Sequence, residues 1–454
     1  MAEERAAHRR GLSLRGPCQG LGYPDNAVMV DSFESPSVAL AHHWMMSMRG
    51  GEKVLSVLAG LYPDAPIYTL VARRDQLDPV LAGRRIETSW LQRLVWIPDV
   101  QRKAMPVLFA AARSLDARSY DAVICSDAAS IKALRTRPDA LKLCYCHSPM
   151  RYVWHLYSQY YAGAGLLGRL GLRLFAGRIR RADRRAAGEV AAFVANSRPV
   201  ANRIRRNYGR PSVVIPPPVD TDYLPNEAPA EDFYLVVGEQ VGYKRNDLAV
   251  AACTRLGRPL VVIGTGPLLG EVRRVAGPSV RVLGWQADQV VREHFRRCRA
   301  VLFCGEEDFG MVPVEAQAAG RPVIAFGAGG VLDTVQEGRS GLFFHKQDPE
   351  TVIDALERFE SAPSLWSPRQ IQDHARQFSI ARFRQRFSRF WRWCLDQCRA
   401  GGARQVRDAM ETIDRDAFLS FPTSFPSPAG GRRMPAEGQR TREPGAPGLL
   451  APDG

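Results

Sequence analysis

The apolar residues between about residue 36 and residue 215 occur in short runs separated by amphipathic stretches. The segment GGEKVLSVLAGLYP has the spacing of an amphipathic helix, and several runs have the length and composition of buried strands: VALAHHW, APIYTLVA, YDAVICSD, LKLCYCHS and AAFVANS. Alternation of such strands and helices is typical of a parallel sheet covered by helices. The pattern predicts an α/β domain in this half of the chain.

A proline run separates this pattern from a second one. In SVVIPPPVDTDYLP three consecutive prolines cannot continue a sheet ladder and enforce extended backbone, which predicts a linker between domains. Six strand candidates follow: FYLVVGEQ, NDLAVAACTRL, PLVVIGTG, SVRVLGW, AVLFCGEE and PVIAFGAGG. The chain is therefore expected to contain two Rossmann-like, doubly wound α/β domains.

Composition supports two domains and marks both ends of the chain as different. The 454 residues are 45% apolar, which is enough for two domain-sized cores. The two ends lack apolar periodicity or are rich in Pro, Gly and Arg, so they are expected to be disordered. The predicted boundaries are an N-terminal extension over 1–34, a first domain over 35–215, a linker over 216–224, a second domain with closing helices over 225–399, and a tail over 400–454.

Charge and cysteine usage narrow the range of partners and compartments. The formal net charge of +15 indicates an anionic partner without identifying it. Nucleic acid is not expected as a partner, because no helix-turn-helix, zinc-finger or RNA-binding pattern occurs. The sequence has no apolar run long enough to cross a bilayer and no signal-peptide core, and its nine cysteines are scattered, so we expect free thiols in the cytoplasm.

One stretch combines apolar and basic residues more densely than the rest. Residues 165–185, GLLGRLGLRLFAGRIRRADRR, hold Leu, Phe and Ile together with seven arginines. Such a helix is able to lie in an anionic membrane interface, here the inner face of the plasma membrane. An ordinary helix packed on the first domain is the alternative, and the pattern leaves both open.

The strongest chemical pattern is GEEDFGMVPVEAQAAGRPVIAFGAGG, which follows a predicted strand. Glu307 and Glu315 are eight positions apart, with a turn and the start of a helix between them. Glu307 is expected at the carboxyl end of a parallel strand, where open α/β sheets bind ligands, and Glu315 is expected to face the same cleft. The backbone amides of Gly310, Met311 and Val312 would form a helix N-terminus suited to an anionic ligand.

This segment resembles the retaining GT-B glycosyltransferases called group 1, or family 4, whose mark is Glu-x7-Glu ahead of a glycine-rich turn. The resemblance covers most of residues 36–385 and implies a first domain for the acceptor and a second domain for a nucleotide-sugar, with a cleft between them. It implies that Glu307 contacts the donor sugar and that Glu315 binds the ribose. It assigns further positions around the donor: Lys244 on the diphosphate, Leu283 and Trp285 in the wall of the base pocket, Gly51 across the cleft, and Gly264 beside the nucleotide.

A second segment, CYCHSPMRYVWHLYSQYY, resembles the CHTPMRY-W-x-LY segment of bacterial mannosyltransferases. Those enzymes build O-antigen and exopolysaccharide repeat units on a lipid carrier. The resemblance places His147 near the reacting centre and implies GDP-mannose as the donor and a lipid-linked saccharide as the acceptor. A strand-end histidine with a backbone contact is the alternative interpretation of His147.

Three positions depart from the family pattern. Glu239 stands where the family has an arginine upstream of the phosphate lysine, so one of two expected phosphate contacts is missing. His43 and His155 each stand where the family has an aspartate. These departures predict a different acceptor or a reduced activity.

The expected chemistry needs no metal and no cofactor. A retaining transfer requires the leaving diphosphate to be neutralised while positive charge grows on the sugar, and Lys244 and helix amides are able to do this. The resemblance implies front-face substitution, in which the departing phosphate deprotonates the acceptor. Two Asp-x-Asp strings, Asp220/Asp222 and Asp414/Asp416, are interpreted as chance because they lie beside the proline run and in the tail.

Two other functions are compatible with the sequence. The string PLVVIGTGPLLG suggests a dinucleotide-binding dehydrogenase, but its third glycine is one position late and no acidic residue follows about 20 positions on. A catalytically silent scaffold of a polysaccharide-assembly complex would explain Glu239, His43 and His155. The presence of Lys244, Glu307, Glu315 and His147 favours an active glycosyltransferase over the scaffold.

Overall fold

A computed structural model describes residues 36–97, 104–221 and 229–413. The predicted N-terminal extension, the end of the predicted linker and the tail beyond residue 413 lie outside the described residues. The described chain forms two parallel sheets, one of seven strands and one of six, each packed between helices. The prediction of two Rossmann-like α/β domains is therefore confirmed.

The first sheet has the strand order β3-β2-β1-β4-β5-β6-β7 and is parallel throughout. Its strands are β1 (Val38–His42), β2 (Ile67–Thr69), β3 (Ile86–Thr88), β4 (Ala122–Asp127), β5 (Leu141–Cys146), β6 (Ala192–Ala195) and β7 (Val213–Val214). The accompanying helices are α1 (Gly50–Leu61), α2 (Pro79–Ala82), α3 (Leu108–Ser114), α4 (Tyr157–Gly163), α5 (Leu166–Gly188) and α6 (Arg198–Tyr208). Every residue of β4 and β5 is buried, as expected for central strands covered on both faces.

The second sheet has the order β10-β9-β8-β11-β12-β13 and is also parallel. Its strands are β8 (Tyr234–Val237), β9 (Leu260–Ile263), β10 (Val280–Gly284), β11 (Ala300–Phe303), β12 (Val323–Phe326) and β13 (Gly341–Phe344). The helices are α7 (Asn246–Leu256), α8 (Leu269–Val275), α9 (Asp288–Arg297), α10 (Met311–Ala318), α11 (Val331–Thr334), α12 (Pro349–Ser361), α13 (Pro368–Ala375) and α14 (Ile380–Thr412).

One strand prediction in this domain was wrong. The segment NDLAVAACTRL forms helix α7, and the sixth strand is β13, whose GLFF sequence was not among the candidates. Residues 248–250 and 252–253 are buried, so the helix presents an almost continuous apolar run. Periodicity does not separate a buried helix of this kind from a buried strand.

The last helix returns from the second domain to the first. Phe383, Phe387, Phe390 and, further along, Met410 are buried in the core of the first domain together with residues of β5 and β6. Helix α14 has a break at Gly401 and Gly402 but remains helical to Thr412. The boundary predicted at residue 400 therefore falls inside this helix, because the second half also buries apolar side chains and is not part of a disordered tail.

Candidate active site

A cavity of about 900 Å³ lies between the two domains, where the carboxyl ends of both sheets face each other. Residues from the ends of β1, β5 and β6 line one wall, and residues after β8 and β11 line the other. Seven of the sequence-predicted site residues line this cavity: Gly51, His147, Lys244, Glu307, Gly310, Met311 and Val312. Positions far apart in the sequence are thus brought to one cleft.

The wall from the first domain is built around a serine that joins two histidines. Ser126, in β4, pairs in register with His42 of β1, and its Oγ lies 3.0 Å from His42 Nδ1. The same Oγ lies 2.8 Å from Nε2 of His147, which follows β5 directly. The strand register therefore sets the position of His147. Its ring is hydrogen-bonded to the Ser126 side chain and, among the described residues, not to the backbone.

Burial keeps the histidines of this wall uncharged. Burial, followed by the nearby His43, lowers the pKa of His147 to about 3 and lowers the pKa of His42 well below its usual value. Burial also raises the pKa of Glu52 to about 7. Its carboxylate accepts a hydrogen bond of 3.2 Å from the Arg49 amide and lies 4.0 Å from His42 Nε2. At neutral pH the histidines are uncharged and are suited to bind hydroxyl groups.

Two glycines allow the walls to come close. A Cβ added at Gly50 would lie 2.9 Å from the sulfur of Met311 in the second domain. A Cβ added at Gly51 would lie 3.1 Å from His42 Cε1 and 3.6 Å from His147 Nε2. A side chain at Gly50 would therefore displace the Met311 side chain, and one at Gly51 would crowd the two histidines.

The wall from the second domain holds a lysine and a glutamate in direct contact. Lys244 Nζ lies 2.8 Å from Glu307 Oε1, and both side chains are largely buried. Burial alone would lower the pKa of Lys244, but Glu307 outweighs it and raises the pKa. Gly238 and Gly305 make room for the lysine, because an added Cβ at either would lie within 3.0 Å of it. Lys244 is therefore held as a cation at the cavity wall.

The helix N-terminus predicted beside Glu307 is present. Helix α10 begins at Met311 after Gly310, which has a φ of +84° and provides no side-chain cap. Its first turn contains Pro313, which lacks an N–H group. Glu315, one turn further, lies 3.4 Å from Lys53 Nζ of the first domain. The helix dipole and the uncapped amides make this end suited to an anion.

The three departures from the family pattern face other charged or buried groups. Glu239 pairs across the cleft with Arg49 at 3.8 Å, and both side chains are substantially exposed. His43 is part of the cavity wall, and its Nδ1 has no hydrogen-bond partner among the described residues. His155 Nε2 lies 3.9 Å from a carboxylate oxygen of Asp308.

Asp308 forms the principal ionic contact between the two domains, and the sequence did not predict it. Its buried carboxylate accepts a hydrogen bond of 2.8 Å from Nε of Arg151 and also pairs with Arg203, and both arginines belong to the first domain. Burial alone would raise the pKa of Asp308, but the two arginines outweigh it and lower the pKa. Both Arg151 and Asp308 lie within the conspicuous motifs, but their contact spans 157 positions.

Four predicted donor-site residues do not line the cavity, and one of them is Glu315, whose carboxylate lies beside Lys53 instead. Leu283 packs against a cluster of the second domain, Trp285 is 73% exposed, and Gly264 lies at the end of β9. An added Cβ at Gly264 would lie 2.0 Å from the carbonyl oxygen of Gly238, and one at Gly266 would lie 2.4 Å from that of Gln240. Close packing of two loops therefore accounts for the Gly-x-Gly string that suggested a dehydrogenase.

Two features are absent from the described residues. They contain no group of three or more His, Cys, Asp or Glu side chains that could hold a metal ion. Within the same ranges, no helix combines the length and the apolar composition that are needed to cross a membrane.

Both domains match families of known proteins. The family described as glycosyl transferases group 1 matches residues 233–361, and the family described as glycosyltransferase family 4 matches residues 67–223. The matches leave out β1, α1, α13 and α14 but include most of the cleft residues.

Individual relatives are similar over parts of the chain. A D-inositol 3-phosphate glycosyltransferase of Mycolicibacterium gilvum is 32% identical over 167 residues, which are 34% of this chain and 37% of the relative. O-antigen chain mannosyltransferase C of Escherichia coli is 28% identical over 170 residues, which are 36% of this chain and 44% of the relative. The chain thus spans less than half the length of either curated relative.

The crystal structure of Anabaena HepE in complex with UDP-glucose has a TM-score of 0.59 and 16% identity, and the similarity covers 78% of this chain and 99% of HepE.

Proposed function

The chain belongs to the group 1 glycosyltransferases and has their GT-B fold, and on this premise we propose that it transfers mannose from GDP-mannose to a lipid-linked saccharide with retention of configuration. The product would be a repeat unit of a bacterial exopolysaccharide or O-antigen. No metal or other cofactor is proposed to take part.

The observation that carries this proposal is the contact between Lys244 and Glu307 beside the uncapped N-terminus of α10. The lysine and the helix amides stand where they would neutralise a leaving diphosphate. Glu307 orients the lysine and would contact the donor sugar. The ion pair keeps the lysine charged and in place until the donor enters. Bound diphosphate would then compete with the Glu307 carboxylate for the ammonium group.

The opposite wall is suited to an acceptor hydroxyl. His147 is neutral and faces the cleft, and the serine bond fixes the orientation of its ring. We propose that it positions the acceptor hydroxyl and that the departing phosphate takes the proton. In this front-face substitution the bond from the anomeric carbon to the phosphate oxygen breaks while the bond to the acceptor oxygen forms on the same side.

The choice of mannose and of a lipid-linked acceptor is supported by the HSPMRYVWHLY segment and by the similarity to the Escherichia coli O-antigen mannosyltransferase. The same segment supplies Arg151 and His155, which contact Asp308 beside the donor wall. The HSPMRYVWHLY segment thus lies where it would contact both the donor and the acceptor.

The test is a transfer assay with purified protein, bacterial lipid extract and GDP-mannose, UDP-glucose, UDP-galactose or UDP-N-acetylglucosamine. We expect nucleotide release and lipid labelling with GDP-mannose, undiminished by excess EDTA. Preference for a UDP-sugar would reject mannose, and loss of transfer in EDTA that Mg²⁺ or Mn²⁺ restores would reject the metal-free reaction. In calorimetry GDP is expected to bind more tightly than UDP or NAD. Donor binding without transfer to any extract would favour the silent scaffold.

A further inference from the structure

Helix α5 carries an apolar face that the rest of the protein does not cover. We define the α5 outer face as Leu166, Leu167, Leu170 and Leu174, whose side chains are 86%, 87%, 54% and 54% exposed. The buried side chains of α5, including Leu172, Ala176 and Ile179, lie on the opposite side of the helix at a period of 3.6 residues. The helix is thus anchored on the first domain and turns its leucines outward.

The outer face is a cluster and not scattered exposure. Fourteen large apolar side chains are exposed in the described residues, and five of them lie within 166–175. Single exposed apolar residues are normal on a protein surface, but contiguous ones mark an interaction site. The fold of the first domain does not require these leucines, since they contribute little to its core.

The charge around this face selects the partner. Helix α5 has seven arginines: Arg169, Arg173, Arg178, Arg180, Arg181, Arg184 and Arg185. Its single acidic residue, Asp183, is buried and pairs with Lys132 at 2.7 Å. In the described structure none of the seven arginines forms an ion pair with a carboxylate. An apolar face beside uncompensated arginines is complementary to phosphate headgroups above acyl chains.

The location of α5 connects this face with the cleft. Helix α4 precedes α5 with only two residues between them, and its Tyr160 lines the cleft cavity while remaining 42% exposed. A surface that supports α5 would therefore lie beside the first-domain side of the cleft, where the acceptor is proposed to bind.

We propose that the α5 outer face docks on an anionic lipid bilayer, with its leucines at the boundary between headgroups and acyl chains and its arginines on lipid phosphates. The two alternatives that the sequence left open for this stretch are then compatible, because one side of α5 packs on the domain while the other binds lipid. This inference goes beyond the proposed sugar transfer and does not depend on it, since vesicle binding needs neither donor nor acceptor.

The test is cosedimentation of the full chain with vesicles of phosphatidylcholine, alone or mixed with phosphatidylglycerol. The wild type is expected to bind the mixed vesicles at low salt and to bind less as salt rises, because the charges are screened within about 8 Å at physiological ionic strength. Leu170→Gln/Leu174→Gln should weaken binding by about tenfold or more. The matched control is Leu332→Gln/Leu365→Gln in the second domain, where the two leucines are 52% and 51% exposed, and it should bind like the wild type.

A second pair of variants isolates the charge contribution. Arg173→Gln/Arg181→Gln should weaken binding to the mixed vesicles by about fivefold for each arginine, while Arg73→Gln/Arg369→Gln removes the same charge elsewhere and should have a smaller effect. Circular dichroism verifies that each variant is folded. Absence of binding at low salt, or equal losses in test and control variants, would overturn the proposal. Light scattering that shows a dimer dependent on Leu170 and Leu174 would assign the face to a second copy of the chain instead.

Discussion

On the first-domain side of the cleft, His42 is buried, His147 is partly buried, and both are uncharged and hydrogen-bonded to one serine. On the second-domain side, Lys244 and Glu307 face each other as opposite charges. Both walls stand at the carboxyl ends of parallel strands, so the fold alone does not explain the difference. In the first domain the side chains belong to the strand ends and lie beneath a glycine loop. In the second they belong to loops beside a helix N-terminus. One wall is suited to hydroxyl groups and the other to phosphate.

The walls meet at Asp308, and removing its charge should have the largest effect. Asp308→Asn leaves Arg151 and Arg203 without their shared carboxylate. Loss of one partner from a buried ion pair costs about 3–5 kcal/mol, and we expect about 3 kcal/mol because the Arg151 side chain is 35% exposed. Urea denaturation of the variant and the wild type measures the change in free energy of unfolding.

Asp333→Asn is the matched control for this measurement. Asp333 also binds a first-domain residue, accepting a 2.7 Å hydrogen bond from the Arg198 amide, but the Arg198 side chain is 70% exposed. Asparagine retains an acceptor there, so we expect less than about 1 kcal/mol of destabilisation. Equal losses in the two variants would mean that Asp308 has no special part in joining the walls.

The second prediction tests the charged wall. A charge-assisted hydrogen bond to phosphate is worth about 1.5–3 kcal/mol, so Lys244→Gln should lower kcat/KM by about tenfold to a hundredfold or more. Lys346→Gln, on the exposed surface of the same domain, is the control and should leave the kinetics unchanged. Near-wild-type turnover and donor affinity in Lys244→Gln would mean that the phosphates bind elsewhere.

Local patterns predicted the walls better than the contact between them. The strand runs and the glutamate motif placed Glu307 and Gly310 at one cleft, because parallel strands bring their carboxyl ends to one edge. Lys244 was added to that cleft by the family resemblance alone. The pairing of Arg151 with Asp308 depends on how the two domains are oriented, which no local pattern encodes. The partner of Glu239 was missed for the same reason, since Arg49 belongs to the other domain.

Short uninterrupted apolar runs were the other source of error. The sequence of helix α7 resembles a buried strand because its residues 248–253 are apolar without interruption, and β13 escapes prediction because it has only four residues. Leu283 and Trp285 were assigned to a base pocket by resemblance alone. Trp285 is exposed, so its contribution to a pocket would require the nucleotide itself to cover it.

The third prediction tests the uncharged wall through pH. Glu52 has an ordinary pKa of 4.5 in the unfolded chain and about 7 when buried. Between these values the folded protein holds a proton that the unfolded chain releases, so this group costs stability as pH rises from 4.5 to 7. Glu52→Gln removes the titration, and its stability relative to the wild type should rise by about 2 kcal/mol across that window.

The difference between the stability profiles of Glu52→Gln and the wild type cancels the contributions of the other titrating groups of the wall, except for the nearby His42. Losing the hydrogen bond from the Arg49 amide shifts this difference by a constant amount and does not change how it varies with pH. Urea denaturation at several pH values gives both profiles. Glu357→Gln on the exposed surface is the control, since water solvates that side chain in both states. A difference that does not vary with pH would contradict the burial of Glu52 as an uncharged acid.

The smallest effect is expected at Glu239, where the two walls meet through exposed charges. Because Arg49 and Glu239 are 71% and 42% exposed, their ion pair is weak, at about 1 kcal/mol or less. Glu239→Gln removes a negative charge from the cavity and releases Arg49 toward the phosphates, so GDP should bind up to about fivefold more tightly at low salt. Calorimetry measures the dissociation constant, and the gain should fade as salt rises. In an Arg49→Gln background the same substitution should gain less, because the released cation is absent. Weaker GDP binding by Glu239→Gln would instead assign the carboxylate a direct hydrogen bond to the nucleotide, and the charged wall would then include an acceptor as well as a cation.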